Sequence, residues 1–361
     1  MKTFRLLYIT LIAALLAACG GGGRGDDRPD RKPTSDAAIP APTSLPAPAP
    51  NEYRTPNTYA IKVFDNYIVS DAKRNRKFSI LIRYPVGAPN PLPLIVFSHG
   101  GGPNNNGHRL YNEWGETFAR AGYGVIHMAH AESNYDAHCT PLKIPASECE
   151  ASDFKKEVSA GGTLSAAVYD RPRDASAVLD DLDNIERAAN LKFDRARTGI
   201  AGHSGGTVAV MSNAGAILDV SPSIHNLSSV DSRFKAFLAN SPQGIGYLGM
   251  TATSWDKISV PVMIATGAAD TSDGEQAKDR LDPFKFMPPG DKYQLYVDSK
   301  QATHGTFGLN PDGTLELEPY VATNGIAFFD AYLRGLPEAK AWLNSDNMKL
   351  WSKGVATITT K

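Results

Sequence analysis

Apolar residues fall along this chain in short runs of two kinds. "YAIKVFDNYIVSD" (59–71) and "KFSILIRYP" (77–85) alternate apolar and polar positions around the charged turn "AKRNR", the pattern of two antiparallel strands. "LPLIVFSHGGG" (92–102) differs: Leu94 to Phe97 form an unbroken apolar run, as expected of a strand buried on both faces. "RLYNEWGETFARAGY" (109–123) has helical spacing through Leu110, Trp114, Phe118 and Ala121 and stops at Gly122, and "GVIHMAH" (124–130) is another short strand. Residues 131–170 are polar and break the rhythm, which predicts an excursion loop at the rim rather than a second domain.

The rhythm resumes with "RPRDASAVLDDLDNIERAAN" (171–190), an amphipathic helix with Ala175, Val178, Leu179, Leu182 and Ile185 on one face. "TGIAGHS" (198–204) reads as a strand and "GGTVAVMSNAGAI" (205–217) as a closely packed helix of small residues. "FKAFLANSP", "VPVMIATGAAD" and "KYQLYVDS" add three core strands, and "YVATNGIAFFDAYLRG" (320–335) is a last helix that closes the domain. Two antiparallel strands followed by βα repeats predict an α/β fold: one mixed, mostly parallel sheet of about eight strands, flanked by helices.

The N-terminus stands outside this pattern. "MKTFRLLYITLIAALLAACG" carries Lys2 and Arg5, then an apolar run from Leu6 to Ala18 too short to span a bilayer. Its end, Leu16-Ala17-Ala18-Cys19, resembles the lipobox of bacterial lipoproteins, in which the cysteine is lipidated after cleavage. The other reading is an ordinary secretory signal with a coincidental cysteine. By the same resemblance, Gly20 rather than Asp after Cys19 implies the outer membrane, so residues 1–18 are expected to be removed and the protein to be lipid-anchored in a bacterial cell envelope. Residues 19–56 have almost no large apolar side chains and read as a disordered Gly/Pro-rich tether, roughly 30 Å long as a random coil, ahead of a single domain over 57–361. In an oxidising compartment the remaining cysteines, Cys139 and Cys149, are a natural disulfide, which would add about 2–3 kcal/mol by closing a short loop; two free thiols are the alternative.

Composition narrows the function. A chain of 361 residues with 42% hydrophobic content can bury a large core, and a net charge of −1 offers no basic field for nucleic acid. The chemistry gathers at strand ends. "GIAGHSGGT" (199–207) sets Ser204 between a strand and a helix, with Gly202 and Gly206 two residues to either side, the context of a nucleophile elbow. "SHGGG" (98–102) ends a buried strand with free backbone N–H groups. Asp270 follows a strand in "ATGAAD", and His304 follows the last strand in "ATHGTFG". A serine that attacks an acyl carbon needs a base, an orienting carboxylate and an oxyanion hole, and the order Ser204, Asp270, His304 supplies them where α/β sites gather.

These residues make the chain resemble the α/β-hydrolase superfamily, nearest to its branch of platelet-activating-factor acetylhydrolases and dienelactone-hydrolase-like enzymes. "VFSHGGG", "AGYGVIHMAHAE", "RPRDASAVLDDL", "GHSGG", "ATGAADT" and "THGTFG" carry the resemblance, which extends from about Tyr59 to Gly335. It implies the α/β-hydrolase fold, with Ser204 as nucleophile, His304 as base and Asp270 as its orienting anion. The backbone N–H groups of Gly205 and Gly101 would form the oxyanion hole. Asp273, in the same loop as Asp270, is a reserve for the acid. The sequence departs from the acetylhydrolase pattern in its HGGG loop and its cysteine-bearing insert, both at the substrate rim.

The expected activity is hydrolysis of carboxylic esters of short to medium acyl chains, small or polymeric, without a cofactor. A polyester depolymerase or lipase acting on insoluble substrate is the runner-up, and a non-catalytic hydrolase-fold binding module the reading from another class. His127, His130 and His138 could be drawn as a metal site, but residues three apart on a strand face opposite sides and no ligand spacing is completed, so no metal is expected. His130 is read as lining or supporting the pocket, His99 and His203 as packing or hydrogen-bonding residues, and Trp255 as either acyl pocket or core. Nothing in the sequence indicates an oligomeric state.

Overall fold

The computed structural model describes residues 48–101, 104–130, 166–219, 225–272, 274–309 and 315–361. The expected signal peptide, Cys19, the tether as far as residue 47, His138, Cys139, Cys149 and Asp273 lie outside the described residues.

Two long strands, β1 (Ile61–Asp71) and β2 (Arg76–Pro85), pair antiparallel as their alternation predicts. Next along the chain come β3 (Leu92–Ser98), β4 (Gly124–Met128), β5 (Phe193–His203), β6 (Ala236–Asn240), β7 (Val262–Gly267), β8 (Lys292–Val297) and β9 (Ala356–Thr360). They form one sheet in the order β1-β2-β4-β3-β5-β6-β7-β8-β9, parallel from β4 to β8 and antiparallel at both margins. The central run of β3 shows why it is apolar throughout. Leu94 and Val96 enter the core on one face and Ile95 and Phe97 the core on the other, all fully buried.

Helix α1 (Asn112–Arg120) packs Trp114 and Phe118 onto the second of these faces. Helices α2 (Arg171–Asp180), α3 (Leu182–Ala189) and α4 (Thr207–Ala214) cover the first. The expected single helix over 171–190 is therefore two, separated at Asp181, and α3 ends at Asn190 in the left-handed conformation that asparagine tolerates. After α5 (Asp282–Phe286) and α6 (His304–Gly308), the long α7 (Glu318–Tyr332) returns across the second face.

The domain does not close there. Helices α8 (Pro337–Leu343) and α9 (Asn347–Trp351) follow, then β9, so the sheet has nine strands rather than about eight. Strand β9 leaves little mark in the sequence because an edge strand with one neighbour needs few apolar residues, and "ATITT" buries only Ala356 fully. Strand β5 likewise starts at Phe193, five residues before the apolar "TGIAGH" run, because "DRAR" lies in the partly exposed part of the strand. Packing also begins before residue 57: Tyr53 is buried with its hydroxyl donating to Asp330 (2.8 Å), and the Trp342 indole donates to the Asn51 carbonyl (2.7 Å). Among the described residues no helix is long and apolar enough to cross a membrane.

Candidate active site

Strand β5 ends at His203 and α4 begins at Thr207, which leaves Ser204–Gly206 to reverse the chain in one tight turn. Ser204 takes φ 52°, a left-handed conformation that costs a residue with a Cβ on the order of 1–3 kcal/mol. The flanking glycines are demanded by close packing. A Cβ on Gly202 would stand 2.7 Å from the Gly206 carbonyl oxygen, and one on Gly206 only 2.1 Å from that of Ser98. The turn lies wedged against the end of β3, at the N-terminus of α4, where helix dipoles favour negative charge.

Asp270 lies just beyond β7, fully buried, and gathers four partners. His304 donates from Nδ1 to Oδ1 (2.8 Å), Ser241 and Thr266 donate to Oδ2 (2.6 and 2.8 Å), and the Arg280 Nε stands 3.0 Å from Oδ1. Burial works against the carboxylate, but the His304 bond, the Arg280 charge and the Ser241 bond hold it below its ordinary range. His304 opens α6 with its side chain 21% exposed, and with Nδ1 committed to Asp270 its Nε2 is the nitrogen left for a substrate-side proton.

His203 ties this pair to the turn. Its ring is centred 4.5 Å from that of His304, and its Nε2 is 2.9 Å from the His304 carbonyl oxygen. A carbonyl only accepts, so Nε2 carries the proton and Nδ1 accepts from the Tyr111 hydroxyl (3.1 Å). Burial first, then His304, pushes His203 down to about 3, so it stays neutral.

The loop after β3 completes the site. Gly101 has φ 72°, and a Cβ on Gly205 would lie 2.9 Å from its carbonyl oxygen and 3.6 Å from its nitrogen. Gly101 and the residue after Ser204 are thus adjacent, as an oxyanion hole requires. Beneath the loop is a second Ser–His–Asp set: Ser98 Oγ to His130 Nε2 and His130 Nδ1 to Asp174 Oδ2, both 2.9 Å. All three side chains are fully buried, so no substrate reaches Ser98, and His130 supports the site from behind.

The structure therefore brings Ser204, Gly205, Gly101, Asp270 and His304 to the C-terminal ends of β3, β5, β7 and β8. His127 stacks on Phe97 from within the core, while His130 bonds Asp174, so the two serve different surroundings. Trp255 is fully buried and stacked on Phe286, which makes it core. Sequence reasoning assigned no role to Tyr111, Ser241, Thr266 or Arg280. No local motif marks them; their roles come only from the strand ends and loops that converge on Asp270 and His203. Two concavities, one beside Tyr59, Pro91 and Arg334 and one beside Asn213, Lys235 and Phe237, lie toward the opposite end of the sheet.

The buried histidines give the fold an acid limit. His99, His127, His130 and His203 are all held below the ordinary histidine value, chiefly by burial. The unfolded chain therefore binds protons that the native state refuses as pH falls below about 6.5, and stability present above that value is lost on acidification. At pH 5, His130, held at about 4, and His203, held at about 3, each cost about 2 kcal/mol, and His99 and His127 act in the same direction. Glu275 acts in the opposite sense. Burial lifts it to about 7 against Arg280 and the Gly244 amide, so it costs stability at higher pH and returns about 2 kcal/mol between pH 7.5 and 5. Four groups outweigh one. Thermal melts should show a markedly lower Tm at pH 5 than at pH 7.5; equal values would contradict the neutral, buried state of these rings.

No protein-family model matches this chain, and no curated protein matches it.

Proposed function

We propose that this chain is a serine hydrolase of the α/β-hydrolase fold, in the acetylhydrolase and dienelactone-hydrolase-like branch, that cleaves carboxylic esters of short to medium acyl length. The observation that carries the reading is a strained Ser204 between β5 and α4, next in the chain to the His203 that packs on His304, whose Nδ1 is bound to a buried, charged Asp270.

In the reaction, Ser204 Oγ attacks the ester carbonyl carbon as its proton passes to His304 Nε2. The tetrahedral oxyanion forms against the amides of Gly101 and Gly205, with the α4 N-terminus behind them. Collapse breaks the carbon–oxygen bond, and the leaving alkoxide takes the proton from His304. Water then attacks the acyl-serine, His304 receives its proton, and the acid departs as Oγ is reprotonated. Asp270 remains ionised throughout and stabilises the imidazolium.

Substrate size follows from the segment between β6 and β7, where lid-bearing lipases often insert a helical cap. Here 241–261 contains turns and no helix, and it is bound down onto the body. Ile217 N–H donates to the Ser254 carbonyl (2.9 Å), Asp219 N–H donates to that of Gly249 (2.9 Å), and Met250 and Trp255 are buried. A site without a cap in this segment favours soluble, short esters over interfacial ones. A series of p-nitrophenyl esters from acetate to palmitate should peak at short to medium chains, with no rise in rate at the solubility limit. Peak activity on palmitate with interfacial activation would replace this reading with a lipase or polyester depolymerase.

The proposed location is the bacterial outer membrane, through a lipid on Cys19, and it rests on the lipobox resemblance alone. The mass of the mature N-terminal peptide decides it: an unmodified chain starting elsewhere means a plain secretory signal.

A further inference from the structure

The loop that presents Gly101 is held by its carbonyls. Arg171, the first residue of α2, is fully buried and donates from Nη1 to the His99 carbonyl and from Nη2 to the Gly101 carbonyl (2.5 Å). The carbonyl between them, that of Gly100, lies 2.7 Å from His99 Nδ1. His99 Nε2 accepts the His130 backbone N–H (3.3 Å), so Nδ1 carries the proton and donates. Three consecutive carbonyls are therefore turned back into the protein. Peptide units are planar and trans, so holding a C=O points the N–H of the next residue the other way. For Gly100 that next N–H belongs to Gly101.

We propose that Arg171 is a positioning residue of the oxyanion hole, fixing the loop by its carbonyls so that the Gly101 amide is presented beside Gly205. The proposal rests on the serine-hydrolase reading and adds a residue to it. The side chain is built for this. Its planar fork spans two carbonyls two residues apart, which a lysine ammonium cannot match in geometry. Nη1 would stand 3.6 Å from a Cβ on Gly205, so its charge lies next to the same turn. Burial pushes the guanidinium down only to about 10, which leaves it charged at neutral pH.

Asp174, one helical turn on, secures the position. Arg74 and Arg76 donate to it (2.8 Å each, with a second Arg76 bond of 3.0 Å), and His130 links it to Ser98 at the end of β3. The start of α2 is thus bound to β2, its preceding turn and the end of β3 independently of Arg171, so Arg171 can be altered with its helix still anchored.

The test compares Arg171→Lys and Arg171→Met with the full-length protein, using p-nitrophenyl butyrate turnover, binding of phenylboronic acid (which forms a tetrahedral adduct on the serine) and Tm. Arg171→Met should lower kcat by about 100-fold, within the range for loss of an oxyanion donor, with KM changed less than about twofold. Boronate affinity should fall in parallel, and Arg171→Lys should recover part of both. Wild-type kcat and boronate affinity in a folded Arg171→Lys protein would overturn the proposal, as would a loss of kcat with boronate affinity unchanged. Where Arg171→Met fails to fold, Arg171→Lys alone carries the comparison. Failure of the wild-type protein to turn over the ester or to bind the boronate would instead defeat the hydrolase reading.

Discussion

Ser204→Ala should remove ester hydrolysis, lowering kcat on the order of 10⁶-fold, and should abolish labelling by a fluorophosphonate probe. The size of the effect comes from the division of labour in the site. In the proposed reaction His304 and Asp270 serve only to move a proton from one hydroxyl, and the Gly101 and Gly205 amides stabilise charge only after that hydroxyl has attacked. Without Oγ, what remains is binding and a preformed oxyanion hole. The variant should fold at least as well as the parent, because alanine removes a polar atom from a turn whose shape is set by Gly202 and Gly206. Continued labelling of another serine in the variant would refute the assignment. Ser98 is the informative control: it has the bonding order of a triad serine yet is fully buried, so it should not label in the folded protein.

Asp270→Asn should lower kcat by about 10⁴-fold while leaving KM near its parent value. An amide can accept from His304 Nδ1 through its oxygen, but it can equally present its NH₂ group, which favours the wrong imidazole tautomer. It also brings no charge to stabilise the imidazolium. The substitution acts on stability as well. Arg280 lies between Asp270 and Glu275, with Nη1 3.1 Å from Glu275 Oε2, and it is fully buried. Removing the Asp270 charge leaves Glu275 as its remaining carboxylate here. The variant should therefore melt below the parent at neutral pH, by an amount that shrinks where Glu275 is fully ionised. Undiminished kcat in Asp270→Asn would move the acid elsewhere, with Asp273 the nearest alternative in sequence.

What the sequence determined by itself was local and periodic. Alternation identified β1 and β2, an unbroken apolar run identified β3, and glycines at 202 and 206 announced a turn too tight for side chains. The order of Ser204, Asp270 and His304 after successive strands was legible for the same reason, since parallel strands deliver their C-terminal ends to one side of the sheet. Tertiary structure alone decided the rest, because the deciding contacts join residues far apart in the chain. Ser241 and Thr266 look like ordinary strand-end hydroxyls until β6 and β7 bring them to the same oxygen of Asp270. Arg171 reads as one more charge at the head of an amphipathic helix, and only folding sets it against carbonyls about 70 residues earlier. Strand β9 lay hidden because an edge strand buries one end and one side only, so its five residues carry too little apolar signal to stand out. Periodicity reports which face of an element is covered; it cannot report which distant residue covers it.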